Sequence, residues 1–190
     1  MSLSATHLPA ATRPWVPWQN GGGVTSLVAV HGTADAWEWR VSVARVAEAG
    51  PFSYFAGVDR ILTVLSGDLE LVTGQNPPRR LSEGEAIGFP GEVAVVGRPL
   101  GPTVTDLNVM VRRARWEARV RHISPVAEQT AILLSDTALL FFVSEGQVRL
   151  PDQALDVGKH DAVLVEGGRG AEVALRHSGA VHLIELSRRT

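Results

Sequence analysis

Apolar and polar residues alternate along most of this chain with a period of two. The stretch Trp37 to Val46, Trp-Glu-Trp-Arg-Val-Ser-Val-Ala-Arg-Val, puts Trp39, Val41 and Val43 on one face and Arg40, Ser42 and Ala44 on the other, which predicts a strand. Similar runs cover Val24 to Val30, Arg60 to Leu65, Leu69 to Val72, Ala86 to Phe89, Val93 to Val96 and Thr103 to Val111. Gly50-Pro51, Gly57-Val58-Asp59, Ser66-Gly67-Asp68, Glu83-Gly84-Glu85 and Pro90-Gly91 punctuate them, and Ser66-Gly67-Asp68 reads as a tight hairpin turn. Strands recurring every ~8–12 residues, with hardly any helical periodicity, predict an all-β protein. Only Ser124 to Gln129 admits a helical turn. Because several strands are apolar on both faces, the sheets are expected to be covered on two sides, as in paired jelly-roll barrels.

The second half repeats the grammar of the first. Val64-Leu-Ser-Gly67-Asp-Leu-Glu-Leu71 matches Val143-Ser-Glu-Gly146-Gln-Val-Arg-Leu150, and Leu81 to Gly91 is echoed by Leu155 to Gly167, with Gly84 set against Gly158 and Glu85-Ala86 against Asp161-Ala162. The repeat predicts two related β-domains, residues 1–115 and 116–190. Arg112 to His122 forms the bridge, its alternating arginines read as a solvated strand face.

Trp15 to Ser26, Trp-Val-Pro-Trp-Gln-Asn-Gly-Gly-Gly-Val-Thr-Ser, is the most distinctive segment. Two tryptophans anchor it, prolines stiffen it, and three glycines let it turn. It opens a strand and lacks a Gly-Lys-Ser/Thr ending, so it is not a phosphate loop. The plain alternative is a flexible hairpin turn.

Composition narrows the partners. Eighteen Lys and Arg against 20 Asp and Glu leave a net charge of −2, giving no global field toward nucleic acid or anionic membrane. The absence of cysteine removes disulfides and thiolate chemistry and fits a reducing cytoplasm. With neither a signal-like start nor ~18 consecutive apolar residues, the chain reads as soluble and cytoplasmic.

Asn20-Gly21-Gly22-Gly23-Val24-Thr25, Trp39 to Ala44, Gly50-Pro51-Phe52-Ser53 with Gly57-Val58-Asp59-Arg60, and Asp106-Leu107-Asn108-Val109-Met110 before Arg112-Arg113 resemble the motifs of the HutD/Ves family. The resemblance covers nearly the whole chain and is specific over residues 15–115. It implies a bicupin, two cupin-like jelly-roll barrels, acting in the cytoplasm in connection with histidine utilisation and binding an intermediate such as N-formylglutamate.

Metal-dependent cupins use a His-x-His pair with a carboxylate and a later histidine, a donor set suited to a divalent ion. Here the corresponding first-half slots hold Arg60, Leu62 and Val64. His160, His177 and His182 are scattered, with His177 and His182 on opposite faces of any strand they share. No metal and no cofactor are therefore expected. The polar residues that interrupt apolar strands are Asn20, Thr25, Arg40, Ser42, Arg60, Asp106 and Asn108. A buried arginine must meet a carboxylate, so Arg40 or Arg60 should face Asp106, Asp59 or a ligand. The bland alternative is an internal Arg–Asp bridge tying sheets together.

As a ligand set, the guanidinium groups would hold a small carboxylate while Asn20 and Asn108 read an amide or formyl group. A binding or regulatory protein is the first expectation. A metal-independent isomerase or lyase with Asp106 as base is the second. A structural or protein-interaction module is the third, and sheet edges leave room for a homodimer. No comparable polar set occurs in the second half, which should be filled with side chains.

Overall fold

A computed structural model describes residues 3–33, 35–123, 129–132, 137–167 and 172–189. Its strands are β1 (Ser4–Leu8), β2 (Trp15–Pro17), β3 (Gly23–Gly32), β4 (Trp37–Val46), β5 (Gly50–Pro51), β6 (Val58–Ser66), β7 (Leu69–Thr73), β8 (Arg79–Leu81), β9 (Ala86–Pro90) and β10 (Val95–Pro99). They continue with β11 (Val104–Arg112), β12 (Trp116–Ile123), β13 (Gln129–Ile132), β14 (Thr137–Val143), β15 (Gln147–Leu150), β16 (Leu155–Val157), β17 (Ala162–Glu166), β18 (Glu172–Ser178) and β19 (Val181–Arg188). The described residues otherwise form only two short 3-10 turns, Ala10–Thr12 and Pro151–Gln153. The protein is all-β. Of the expected helical turn at Ser124 to Gln129, residues 124–128 lie outside the described set and Gln129 opens β13.

Contacts divide the chain into two units, Arg13–Trp116 and a second that begins at Glu117 and includes the residues up to Thr12. The first strand, assigned on sequence to residues 1–115, therefore belongs with the second unit. β1 runs antiparallel to β17. Asp161 anchors both the strand and the turn after it, facing His7 Nε2 at 2.9 Å and accepting from the Ala10 amide at 2.7 Å.

In the Arg13–Trp116 unit a six-stranded sheet has the order β2-β3-β4-β11-β6-β9 and a four-stranded sheet the order β5-β10-β7-β8. Leu62, Val64, Leu69, Leu71, Leu81, Phe89, Val95 and Val104 from both sheets form the core. In the other unit the orders are β1-β17-β14-β19-β12 and β13-β18-β15-β16. Adding eight to each strand number turns β4-β11-β6-β9 into β12-β19-β14-β17, and β5-β10-β7-β8 into β13-β18-β15-β16. The repeat seen in the sequence is thus a repeat of topology.

Two details of that repeat differ from the sequence reading. Ser66-Gly67-Asp68 is a corner and not a hairpin, because β6 and β7 belong to different sheets; Gly146 makes the same corner between β14 and β15, and both glycines have positive φ, 81° and 75°. The partner of Gly84 is His160, two residues beyond Gly158. Gly84 donates to the Val64 carbonyl at 2.9 Å and Val64 to that of Glu85 at 3.0 Å, while His160 donates to Val143 at 2.6 Å and Val143 to Asp161 at 3.0 Å. His177 and His182 share no strand, since they fall on β18 and β19.

Candidate functional site

The inward face of the six-stranded sheet carries the site. Antiparallel register sets Thr25, Ala44 and Asp106 in one row across β3, β4 and β11, Leu27, Ser42 and Asn108 in a second, and Val30, Arg40, Met110 and Arg60 in a third that reaches β6. All ten line a cavity of about 840 Å³, within the range of small-molecule sites.

Two bulges shape this wall. Leu27 pairs with Ser42 and Ala29 with Val41, leaving Val28 extra, so Leu27 and Val30, three apart and on opposite faces of a regular strand, both look inward. A second irregularity sets Gly32 opposite Trp37 and His31 opposite Trp39, bringing Trp37 onto the cavity wall with Arg40.

Arg60 is buried, at 7% exposure, yet meets no carboxylate directly among the described residues. Its Nη2 donates to Asn108 Oδ1 at 2.9 Å and its Nη1 to the Ser53 carbonyl at 3.3 Å. Its guanidinium lies 5.0 Å from the Phe89 ring centroid, 5.5 Å from Phe52 and 5.7 Å from Phe55, a cage of negative ring faces that holds a cation. Asn108 Nδ2 in turn donates to Asp106 Oδ1. The expected Arg–Asp bridge is therefore relayed through an amide. Asp59 takes no part, because it pairs with Arg113 at 2.6 Å.

Asp106 is 1% exposed, and its Oδ2 meets no hydrogen-bond donor among the described residues. Burial pushes its carboxyl up to about 7, opposed by the charge of Arg60 and by the Asn108 hydrogen bond. Burial likewise lowers Arg60 to about 10, with Asp106 resisting and Arg40 adding to the fall. Arg40, half-buried with its Cζ 5.8 Å from the Trp37 centroid, is also lowered by burial.

Of the remaining candidates, Ser42 is buried, Thr25 half-buried and Asn20 exposed. Thr25 accepts from Trp18 Nε1 at 2.6 Å, and Asn20 Oδ1 accepts from the Gly22 amide at 3.2 Å. The glycine segment is the turn of the β2–β3 hairpin, with Trp18 donating to the Gly23 carbonyl at 2.9 Å. All seven sequence candidates thus line one cavity. The phenylalanine cage is not among them. Its sequence traces are Phe52 in the Gly50-Pro51-Phe52-Ser53 motif and Gly97, where a Cβ would stand 2.7 Å from the Phe52 ring.

The basic run from Arg112 is largely engaged in ion pairs: Arg113 meets Glu92 at 2.9 Å as well as Asp59, Arg115 meets Glu38 at 2.6 Å, and Arg121 meets Glu185 at 2.7 Å. Among the described residues no three His, Cys, Asp or Glu side chains come together, and no helix is long and apolar enough to cross a membrane.

An all-β protein with a partly charged cavity under one sheet is the class these features define. The HutD family profile matches residues 10–183, and the chain belongs to that family. It is 32% identical over 185 residues to an uncharacterized 21.2 kDa protein in the hutC 3' region of Pseudomonas putida, covering 94% of this chain and 95% of the relative. Protein Ves of Citrobacter koseri is 34% identical over 142 residues, 73% of this chain and 72% of its own. The structure of HutD from Pseudomonas fluorescens SBW25, in a formate condition, superposes with a TM-score of 0.88 at 28% identity, covering 98% of this chain and 100% of that one.

Proposed function

We propose that the protein binds a small organic carboxylate in the cavity of the Arg13–Trp116 unit and acts as a regulatory sensor of it. An acylated amino acid such as N-formylglutamate, in histidine utilisation, is the ligand class that fits best. One observation carries this reading. Among the described residues lining the cavity, only Arg40, Arg60 and Asp106 carry ionisable side chains, so two cations face one carboxyl that burial keeps partly protonated. The surplus positive charge favours an anion. Asn20, Asn108, Ser42 and Thr25 supply amide and hydroxyl partners for a formyl or acyl group. Membership of the HutD family and the strand orders support reading the two units as cupin-like jelly-roll domains, and the composition supports a cytoplasmic setting.

The test is a thermal-shift panel of N-formylglutamate, glutamate, urocanate, histidine and unrelated carboxylates, repeated with Arg40→Gln and Arg60→Ala. Ligand at 100 times its dissociation constant adds about 2.7 kcal/mol, a shift of several degrees. A selective shift lost in both variants supports the site; no shift with any carboxylate defeats it. A second reading rests on Asp106, whose elevated carboxyl in a cavity suits a general base in a metal-independent isomerase or lyase. Turnover abolished by Asp106→Asn would favour that reading over sensing. Sheet-edge dimerisation or a purely structural role predicts neither binding nor turnover.

A further inference from the structure

The two sides of the cavity wall differ in polarity, with Arg40 and Ser42 on β4 between them. At the β6 and β11 side stand Arg60, Asn108 and Asp106, all buried. At the β2 and β3 side stand Val16, Leu27 and Val30, exposed by 59%, 43% and 40%. These are three of the seven large hydrophobic side chains exposed among the described residues, and all three line this cavity. Singly exposed apolar residues need no explanation; three gathered at one end of a charged cavity, two of them turned inward by the Val28 bulge, do.

We propose that the ligand is an amphiphile: a carboxylate held at the Arg60 end, carrying an alkyl or aryl group that passes Arg40 and lies over Val16, Leu27 and Val30. This rests on the carboxylate reading above and sharpens its ligand class. The distance sets the size. β3 and β6 are separated by β4 and β11, with Arg40 on β4 opposite Val30, so three strand spacings of about 4.8 Å, roughly 14 Å, lie between the backbones of Val30 and Arg60. An acyl group of about six to eight carbons on an amino acid spans that distance. A formyl group leaves the apolar end uncovered.

The geometry on the opposite wall agrees. Phe52 and Phe55 close over Arg60 and shield the charged end, while the polar lining residues near Val16, Leu27 and Val30 toward β2 are Thr25, already bonded to Trp18 Nε1, and Gln19 and Asn20 in the turn. A uniformly polar ligand would leave the apolar side chains facing water on binding as before; an amphiphile covers them.

The experiment is titration calorimetry of the full chain with N-formyl-, N-butanoyl-, N-hexanoyl- and N-octanoylglutamate, with octanamide as a chain lacking the carboxylate. Affinity is expected to rise two- to fourfold per added methylene, the upper figure being complete burial of each group, and octanamide is expected to bind far more weakly than N-octanoylglutamate. Leu27→Asp with Val30→Asp should flatten the chain-length slope; the milder Leu27→Gln with Val30→Thr, at half-exposed positions, gives the same readout should the first variant not fold. N-formylglutamate binding as well as or better than the longer members would overturn the amphiphile and leave the carboxylate site standing. Failure of the whole series to bind would overturn both. Binding of octanamide as tight as the octanoyl acid would also overturn it, marking a merely apolar groove.

Discussion

The pair of strands β6 and β11 and the pair β14 and β19 are built on one plan, and their inward positions can be matched one by one. Val64 opposes Asp106, Leu62 opposes Asn108, and Arg60 opposes Met110. In the other unit Val143 opposes Val181, Phe141 opposes Leu183, and Leu139 opposes Glu185. Since Val64 and Val143 make the same two backbone hydrogen bonds to the neighbouring corner, Arg60 corresponds to Leu139, Asn108 to Leu183 and Asp106 to Val181. Those three aliphatic residues sit in a continuous apolar core with Phe141, Val143, Val163 and Val165. One backbone plan therefore supports a filled interior and a charged cavity, and on these two strands the charged and amide groups of the cavity come down to three side chains, joined by an addition. The addition is the β2–β3 hairpin, which extends the sheet beyond β4 and supplies Val16, Trp18, Thr25, Leu27 and Val30 to the wall.

The sharpest way to break the comparison is to exchange the matched residues. Leu139→Arg would place a guanidinium in a core with no amide relay and no phenyl cage, and it should cost about 3–5 kcal/mol or more in urea unfolding, enough to prevent folding at 37 °C. If Leu139→Arg were tolerated with a loss under about 1 kcal/mol, the filled unit would have a latent cavity and the contrast would fail.

The pH dependence sharpens it next. Asp106 holds its proton to about 7 in the folded protein against 3.8 for an ordinary aspartate. Between those values the folded state binds more protons than the unfolded one, so its contribution to stability falls as pH rises from about 4 to about 7 and is constant above. The bound on this term is on the order of 4 kcal/mol. His182 acts in the opposite sense. Burial, with the His122 ring 5.1 Å away, lowers it from 6.5 to about 4, so the unfolded state binds the extra proton and stability rises with pH across that window, by on the order of 3 kcal/mol at most. The two terms nearly cancel between pH 4.5 and 6.5, so Asp106→Asn should turn a nearly level melting-temperature profile into a rise, and His182→Gln should turn it into a fall. Identical profiles for both variants would mean that neither group is buried as described.

A smaller effect comes from converting the cavity to the filled pattern. Arg60→Leu, Asn108→Leu and Asp106→Val together should raise stability by about 1–4 kcal/mol at pH 8, as replacement of buried ionic sets by apolar ones often does, while ending carboxylate binding. Arg60→Leu alone should lower it, because it leaves Asp106 with no nearby cation but Arg40. A triple variant less stable than the single one would show that the polar relay holds the sheet together.

Much of this is legible in the chain. Period-two alternation sets Arg40 with Ser42 and Asp106 with Asn108 on shared strand faces, while the strand pairing decides that those faces line the cavity. The repeat is visible from Gly67 and Gly146, since both corners require the same backbone. The features that escape a sequence reading have physical causes. The Val28 bulge leaves no mark in composition, yet it alone turns Leu27 and Val30 to the same side. The cage around Arg60 draws Phe52, Phe55 and Phe89 from separated segments. β1 finds its partner more than 150 residues away, which no local pattern encodes. Matching Gly84 to Gly158 fails because a glycine marks a left-handed backbone only where no other residue adopts it, and in the second unit a histidine fills that role.

That corner yields the smallest effect and isolates backbone from side chain. Gly84 has φ of +83° and nothing within 4 Å of where a Cβ would stand, while His160 adopts φ of 68° with its ring stacked 6.4 Å from Phe142. Gly84→Ala meets no steric obstacle, so its cost should be the left-handed penalty alone, about 1 kcal/mol. His160→Gly relieves a similar penalty but gives up the ring contact and adds freedom to the unfolded chain, so its net effect should be within about 0.5 kcal/mol of zero. Paired urea titrations resolve the two. A loss of about 2 kcal/mol or more in His160→Gly, twice the backbone penalty, would mean that the imidazole, rather than the backbone turn, holds the second corner, and that the two corners share a shape without sharing its cause.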